Sequence, residues 1–104
     1  MAWYHFIAYF FAGAFLCNSL PHYFRGVTGQ KFPTPFAVPP GVGESSPLTN
    51  VIWGLVNLLF AFLLTQVGNF SFGFTWAMAA FGVGFVLMSV MLVKHFGPLY
   101  TPSH

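Results

Sequence analysis

The chain has 104 residues, 57% of them hydrophobic, with three basic side chains, one acidic side chain and a formal net charge of +2. At 4% charged residues, against about 25% in ordinary soluble domains, no water-facing surface can be built, and lipid is the expected solvent for most of the outside. Three basic residues are too few for the clustered stripe that nucleic acid demands. A single carboxylate, Glu44, rules out two-carboxylate catalysis within one chain.

The first apolar run, AWYHFIAYFFAGAFLCNSL, covers residues 2–20. It has the roughly 20 residues that a membrane-spanning helix needs. No basic residue precedes Arg25, so the charged start of a secretory signal is missing. The segment reads as working structure, and a compact chain of this kind points to a bacterial inner membrane. Pro21 removes a backbone donor and crowds the carbonyl of Cys17. The helix is expected to stop near Leu20, or to kink there and continue to Arg25, with Gly26 as its cap. Cys17 has no second cysteine to pair with and reads as a buried thiol.

A proline-rich loop follows over residues 26–46. With its flanks it reads PHYFRGVTGQKFPTPFAVPPGVGESSP and gathers Arg25, Lys31 and Glu44. A flexible tether would be rich in Gly and Ser and poor in aromatics, whereas this segment carries Phe32, Phe36, Val38 and Val42. Proline shrinks the unfolded ensemble of such a segment. The loop is expected to be an ordered cap over the ends of the helices.

The second span covers 47–67, with Ser46 as N-cap and Pro47 in the first helical position. The third covers 72–96, capped by Ser71 and stopped by Gly97-Pro98, with a tail over 97–104. The connector GNFS is short enough to make these two helices an antiparallel hairpin. The fold class expected is all-α: one integral membrane domain over 1–104, with three transmembrane helices and an ordered loop between the first two. Arg25, Lys31 and Lys94 then share one side. The positive-inside rule places the loop and C-terminus in the cytoplasm and the N-terminus outside. Trp3, Tyr4, Phe70 and Phe72 mark the outer interface, and Trp53, Tyr100 and Tyr23 the inner one.

Small and polar residues let helices approach and bond within lipid. The second span carries Asn50, Gly54, Asn57 and Ala61 at helical spacing, extending to Thr65 and Gly68. The third carries Gly73, Ala77, Ala80 and Gly84, extending to Met88, Met91 and His95. These stripes are expected to be helix-packing interfaces, facing each other or a second subunit. Asn57, near mid-span, is expected to hold an interhelical hydrogen bond.

Other chemistry has thin support in the sequence. His22, Arg25 and Lys31 are candidates for contacting lipid headgroups. His22, His95 and Met91 are the weak candidates for a soft metal, since no close-spaced His or Cys pair exists, and no metal or other cofactor beyond bound lipid is expected. Ser19, His22 and Arg25 form an imaginable nucleophilic set, but the acid that would orient it is missing. Proton-coupled export lacks an intramembrane carboxylate. The expected function is therefore non-catalytic. The chain would be an accessory subunit of a larger membrane complex, or the protomer of a homo-oligomer, with lipids and other subunits or copies as partners. A homo-oligomeric channel lined by Asn50, Asn57 and Thr65 is the alternative, and a lipid-headgroup enzyme a further one.

Overall fold

The computed structural model describes residues 2–100. Among them are three helices, α1 (Trp3–Val27), α2 (Pro47–Thr65) and α3 (Trp76–Tyr100), and two two-residue strands, β1 (Phe32–Pro33) and β2 (Glu44–Ser45). The strands pair antiparallel, with Phe32 opposite Ser45 and Pro33 opposite Glu44. Of the three expected spans, α2 and α3 are long and apolar enough to cross a membrane. Helix α1 is as long as α3 but more polar, with Asn18, Ser19, His22 and Arg25 in its second half.

Helix α1 does not stop at Pro21. Its last turn is held from outside by α2, where Gly26 lies against Pro47 and Val51, and Tyr23 against Gly54. The end is made by Gly29 rather than Gly26. Gly29 takes φ +76°, its N–H donates to the Gly26 carbonyl at 3.0 Å, and the Gln30 N–H donates to the Arg25 carbonyl at 2.9 Å. That paired closure needs a left-handed residue, which glycine adopts without strain.

Helix α2 begins as its sequence dictates. Ser46 is extended (φ −62°, ψ 159°), its hydroxyl accepts from the Thr49 N–H, and Pro47 opens the helix. Helix α3 begins later than expected, at Trp76, because Gly73 sits at φ +113° and breaks any helix through 72–75. Thr75, not Ser71, supplies the cap, accepting from the Met78 N–H at 3.0 Å. The far end overruns Gly97-Pro98 to Tyr100. There the Tyr100 ring is stacked on Phe32 at 5.6 Å and its hydroxyl donates to Glu44 at 2.9 Å, so the last turn is anchored despite the proline.

The packing order is the main departure from expectation. Helix α1 lies between the other two and packs extensively on both, while α2 and α3 hardly touch. There is no tight α2–α3 hairpin. The connector 66–75 instead folds against the start of α1, where the Tyr9 hydroxyl donates to the Val67 carbonyl and Phe70 packs on Tyr9 at 5.0 Å. The two stripes therefore meet α1 and not each other. The buried residues of α2 are Asn50, Gly54, Asn57 and Ala61, and a Cβ on Gly54 would stand 2.8 Å from the Tyr23 nitrogen. The buried residues of α3 are Ala77, Phe81 and Gly84. Ala80 is half-buried, because the seam runs through Phe81 instead. Gly73 precedes the helix, and a Cβ there would meet nothing within 4 Å. At the α1–α3 crossing the backbones touch: a Cβ on Gly84 would overlap the Phe10 carbonyl, and one on Gly13 the Phe81 carbonyl.

Candidate site beneath the proline-rich loop

The loop is ordered by its own hydrogen bonds. The Ala37 and Gly41 N–H groups both donate to the Thr34 carbonyl, at 3.1 and 2.9 Å, and the Gly43 N–H donates to the Pro39 carbonyl at 2.8 Å. The Thr34 and Ser45 hydroxyls bond at 2.6 Å. Phe32 is 3% exposed and Thr34 1%. Phe36, by contrast, lies outside, edge-on to Trp53 at 5.1 Å.

This cap ties together one end of all three helices. It reaches α3 where the His95 Nε2–H donates to the Gly41 carbonyl at 2.7 Å, and where Phe32 packs on Phe96 at 4.6 Å. Gly41 takes φ +70°, the left-handed region that glycine adopts without strain, and a Cβ there would stand 3.3 Å from His95 Nε2. The cap reaches α1 through Arg25, whose guanidinium lies 5.2 Å from the Phe32 ring centre and 5.1 Å from that of Tyr100. The same guanidinium donates to Gln30 at 3.1 Å. All four charged side chains thus belong to this end of the molecule, three in or beside the loop and Lys94 beside His95.

The joint to α2 is a buried polar knot. Asn50 is fully buried. Its Nδ2 donates toward the carbonyls of Phe32 at 2.9 Å, Ser46 at 3.1 Å and Ser45 at 3.3 Å. Three acceptors around Nδ2 fix the amide's orientation, so Oδ1 faces His22 Nδ1 at 2.9 Å. An amide oxygen only accepts, so His22 must carry its proton on Nδ1. One turn back along α1 and two turns on along α2, a second polar pair joins the same helices. The Asn18 Nδ2 donates to Asn57 Oδ1 at 3.0 Å, and the Asn57 Nδ2 donates to the Trp53 carbonyl at 2.8 Å. Each asparagine of α2 thereby holds one polar side chain of α1.

This arrangement separates residues that the sequence grouped. His22 is 2% exposed and bonded inward, so it does not join Arg25 and Lys31 at a headgroup surface; of the three only Lys31 is fully outside. Ser19 donates to the Leu16 carbonyl at 2.6 Å, His22 bonds Asn50, and Arg25 lies on aromatic rings. No hydrogen bond links these three into a relay. Asn50 and Asn57 are fully buried and engaged with α1 and the loop, while Thr65 donates to its own helix at the Phe62 carbonyl.

The structure also gathers what the sequence kept apart. His22, Met91 and His95 all border one cavity of about 290 Å³ beneath the loop, together with Asn18, Thr34, Trp53, Met88 and Phe96. Among the described residues no three His, Cys, Asp or Glu side chains cluster as a metal-binding group would. Asn18 went unnoticed in the sequence, although it stands four residues before His22, the spacing that puts two side chains on one helix face. Gly13 went unnoticed too; its signal is the Ala12-Gly13-Ala14 run of small residues amid phenylalanines.

Comparison with protein-family models, with curated proteins and with solved structures returns no match.

Proposed function

We propose that all three helices cross the bilayer and that the protein acts by association rather than catalysis, as an accessory subunit of a membrane complex or the protomer of a homo-oligomer. The long axis of 44 Å suits a bilayer of about 40–45 Å including its headgroups. With α1 spanning, the loop and C-terminus fall on one side with Arg25, Lys31 and Lys94, and the positive-inside rule assigns that side to the cytoplasm.

The observation that carries the reading is the packing order. Three helices with α1 in the middle leave α1 open between its neighbours, and on one side a groove of about 430 Å³ runs past Leu16, Leu58, Ala61, Phe62 and Phe81. The outward faces of α2 and α3 are apolar as well, with Leu59 54% and Val86 59% exposed. Helices associate in lipid where shapes fit closely, and a groove floored by Ala61 admits a side chain from a neighbouring helix. Gly54 and Gly84 do not test this, since both lie inside the chain.

The test is purification in mild detergent followed by native mass spectrometry. The reading expects a heterologous membrane companion or a multiple of 11.5 kDa, lost when Leu16→Trp or Leu58→Trp fills the groove. A lone monomer at every concentration, or an assembly indifferent to both variants, removes it.

A further inference from the structure

The cavity beneath the loop lies on the opposite side of α1 from that groove, and it is built from two kinds of atoms. Its walls are mainly apolar and polarizable: the Trp53 and Phe96 rings, Leu92, Pro33 and Pro35, and the Met88 and Met91 side chains. Thioether sulfur is a favourable neighbour for an aromatic ring. Its polar side chains include His22 and Asn18 of α1, with Thr34, His95 and Trp53 beside them; the Trp53 Nε1–H is buried and has no protein partner. His22 Nδ1–H is committed to Asn50, which leaves Nε2, the other nitrogen of an almost fully buried ring, without a protein partner. In the neutral imidazole that atom is an acceptor. Asn18 has spent one N–H on Asn57 and retains a second N–H and its own oxygen. Both side chains are held from behind by α2 asparagines, so neither needs to reorganise to meet a ligand. No Asp, Glu, Lys or Arg side chain lines the cavity. Charged ligands are therefore disfavoured.

We propose that this cavity binds the head group of a quinol, a neutral ring-bearing alcohol of the membrane phase. One hydroxyl donates to His22 Nε2, Asn18 meets a second ring oxygen, and the ring lies among Trp53, Phe96 and the methionines. The volume of about 290 Å³ suits one ring-sized head rather than a whole lipid. Met91, on the rim and 61% exposed, marks where the tail leaves toward the bilayer. The site is independent of whether the protein assembles with others.

The donor–acceptor polarity makes the proposal specific. At His22 Nε2 the two forms differ: a quinol hydroxyl can donate to it, whereas the oxidised quinone brings only a carbonyl, and two acceptors facing each other form no bond, although either form can accept from the Asn18 N–H. The experiment is calorimetric titration of the detergent-purified full chain with a short-chain ubiquinol, and with the matching ubiquinone, at mildly alkaline pH where an ordinary imidazole is neutral. Trp53 fluorescence, in a Trp3→Phe/Trp76→Phe background, reports occupancy of this cavity. The quinol is expected to bind about tenfold more tightly than the quinone, the scale of one buried hydrogen bond. Asn18→Leu is expected to weaken quinol binding by a similar factor. Met91→Trp, a change at an exposed position that closes the mouth, is expected to abolish binding of both forms. Equal affinity for the two oxidation states overturns the assignment. So does binding indifferent to Met91→Trp, or the absence of quinol binding to the unaltered protein. Copper(I) binding that depends on His22 and Met91, without quinol binding, reassigns the cavity to a soft metal.

Discussion

The two seams on α1 solve the same problem by different means. Against α2 the contact is polar: Asn57 on Asn18, and Asn50 on His22 and the loop carbonyls, with Gly54 between them at Tyr23. Against α3 it is nearly dry. Gly13 and Gly84 bring main chain onto main chain, and the one side-chain hydrogen bond between the helices is the 3.1 Å contact of the Cys17 and Ser89 side chains. The difference follows from what each neighbour must do. Helix α2 begins where the loop ends, so its seam also has to satisfy loop carbonyls buried away from water, and the Asn50 amide supplies the donors. Helix α3 meets α1 below the loop, where closeness of approach is the main source of stability.

The contrast yields an ordered set of expected losses. Gly84→Leu should be the most damaging, about 3 kcal/mol or more, because the obstacle is the Phe10 backbone and cannot rotate aside. It should detach α3 while leaving the α1–α2 pair joined. Steric-trap or denaturant unfolding in micelles measures the loss, and a disulfide between Cys17 and a cysteine replacing Ser89 reports the docking. Asn50→Leu comes next, at about 2–3 kcal/mol, because it strands His22 Nδ1–H and the Phe32 carbonyl together. Its particular sign should be loosening of the loop, read as faster proteolysis between Lys31 and Glu44. A double-mutant cycle on Asn18 and Asn57 should give a coupling of about 0.6–1.7 kcal/mol, the range of single interhelical bonds in lipid. Cys17→Ala should cost least of the four, less than about 1 kcal/mol, since Ser89 keeps its bond to the Phe85 carbonyl at 2.8 Å. If Cys17→Ala proved worse than Asn57→Leu, the division into a polar and a dry seam would fail.

The α2 seam was legible in the sequence because its markers are local and periodic. Asparagine and glycine at intervals of four and three stand out in a run of leucines, and Ser46-Pro47 announces the start of the helix. The α3 seam was harder to read. Alanine and glycine occur on several of its faces, and the residue that decides the register is Phe81, whose bulk gives no hint that it faces inward. The start of α3 was misplaced because 72–75 is apolar enough to be helix, and only the backbone conformation at Gly73 shows otherwise. The end was misplaced because Gly97-Pro98 is a strong stop that Tyr100, Phe32 and Glu44 together override. The order of the helices and the cavity under the loop were not legible at all. Both depend on which face of α1 each neighbour takes, and that is settled by contacts between residues 39 to 72 positions apart.

The position of α1 between α2 and α3 is what everything else depends on, and pulsed dipolar spectroscopy tests it directly. Spin labels at Leu59 and Val86, both exposed, in a Cys17→Ala background report the separation of α2 and α3, each label adding its own reach to the axis-to-axis spacing. An intervening α1 sets that spacing at two helix-packing steps, about 16–20 Å, whereas a direct α2–α3 hairpin sets it at one step, about 8–10 Å. The larger distance, in lipid nanodiscs, is the expected result, and the smaller one would contradict it.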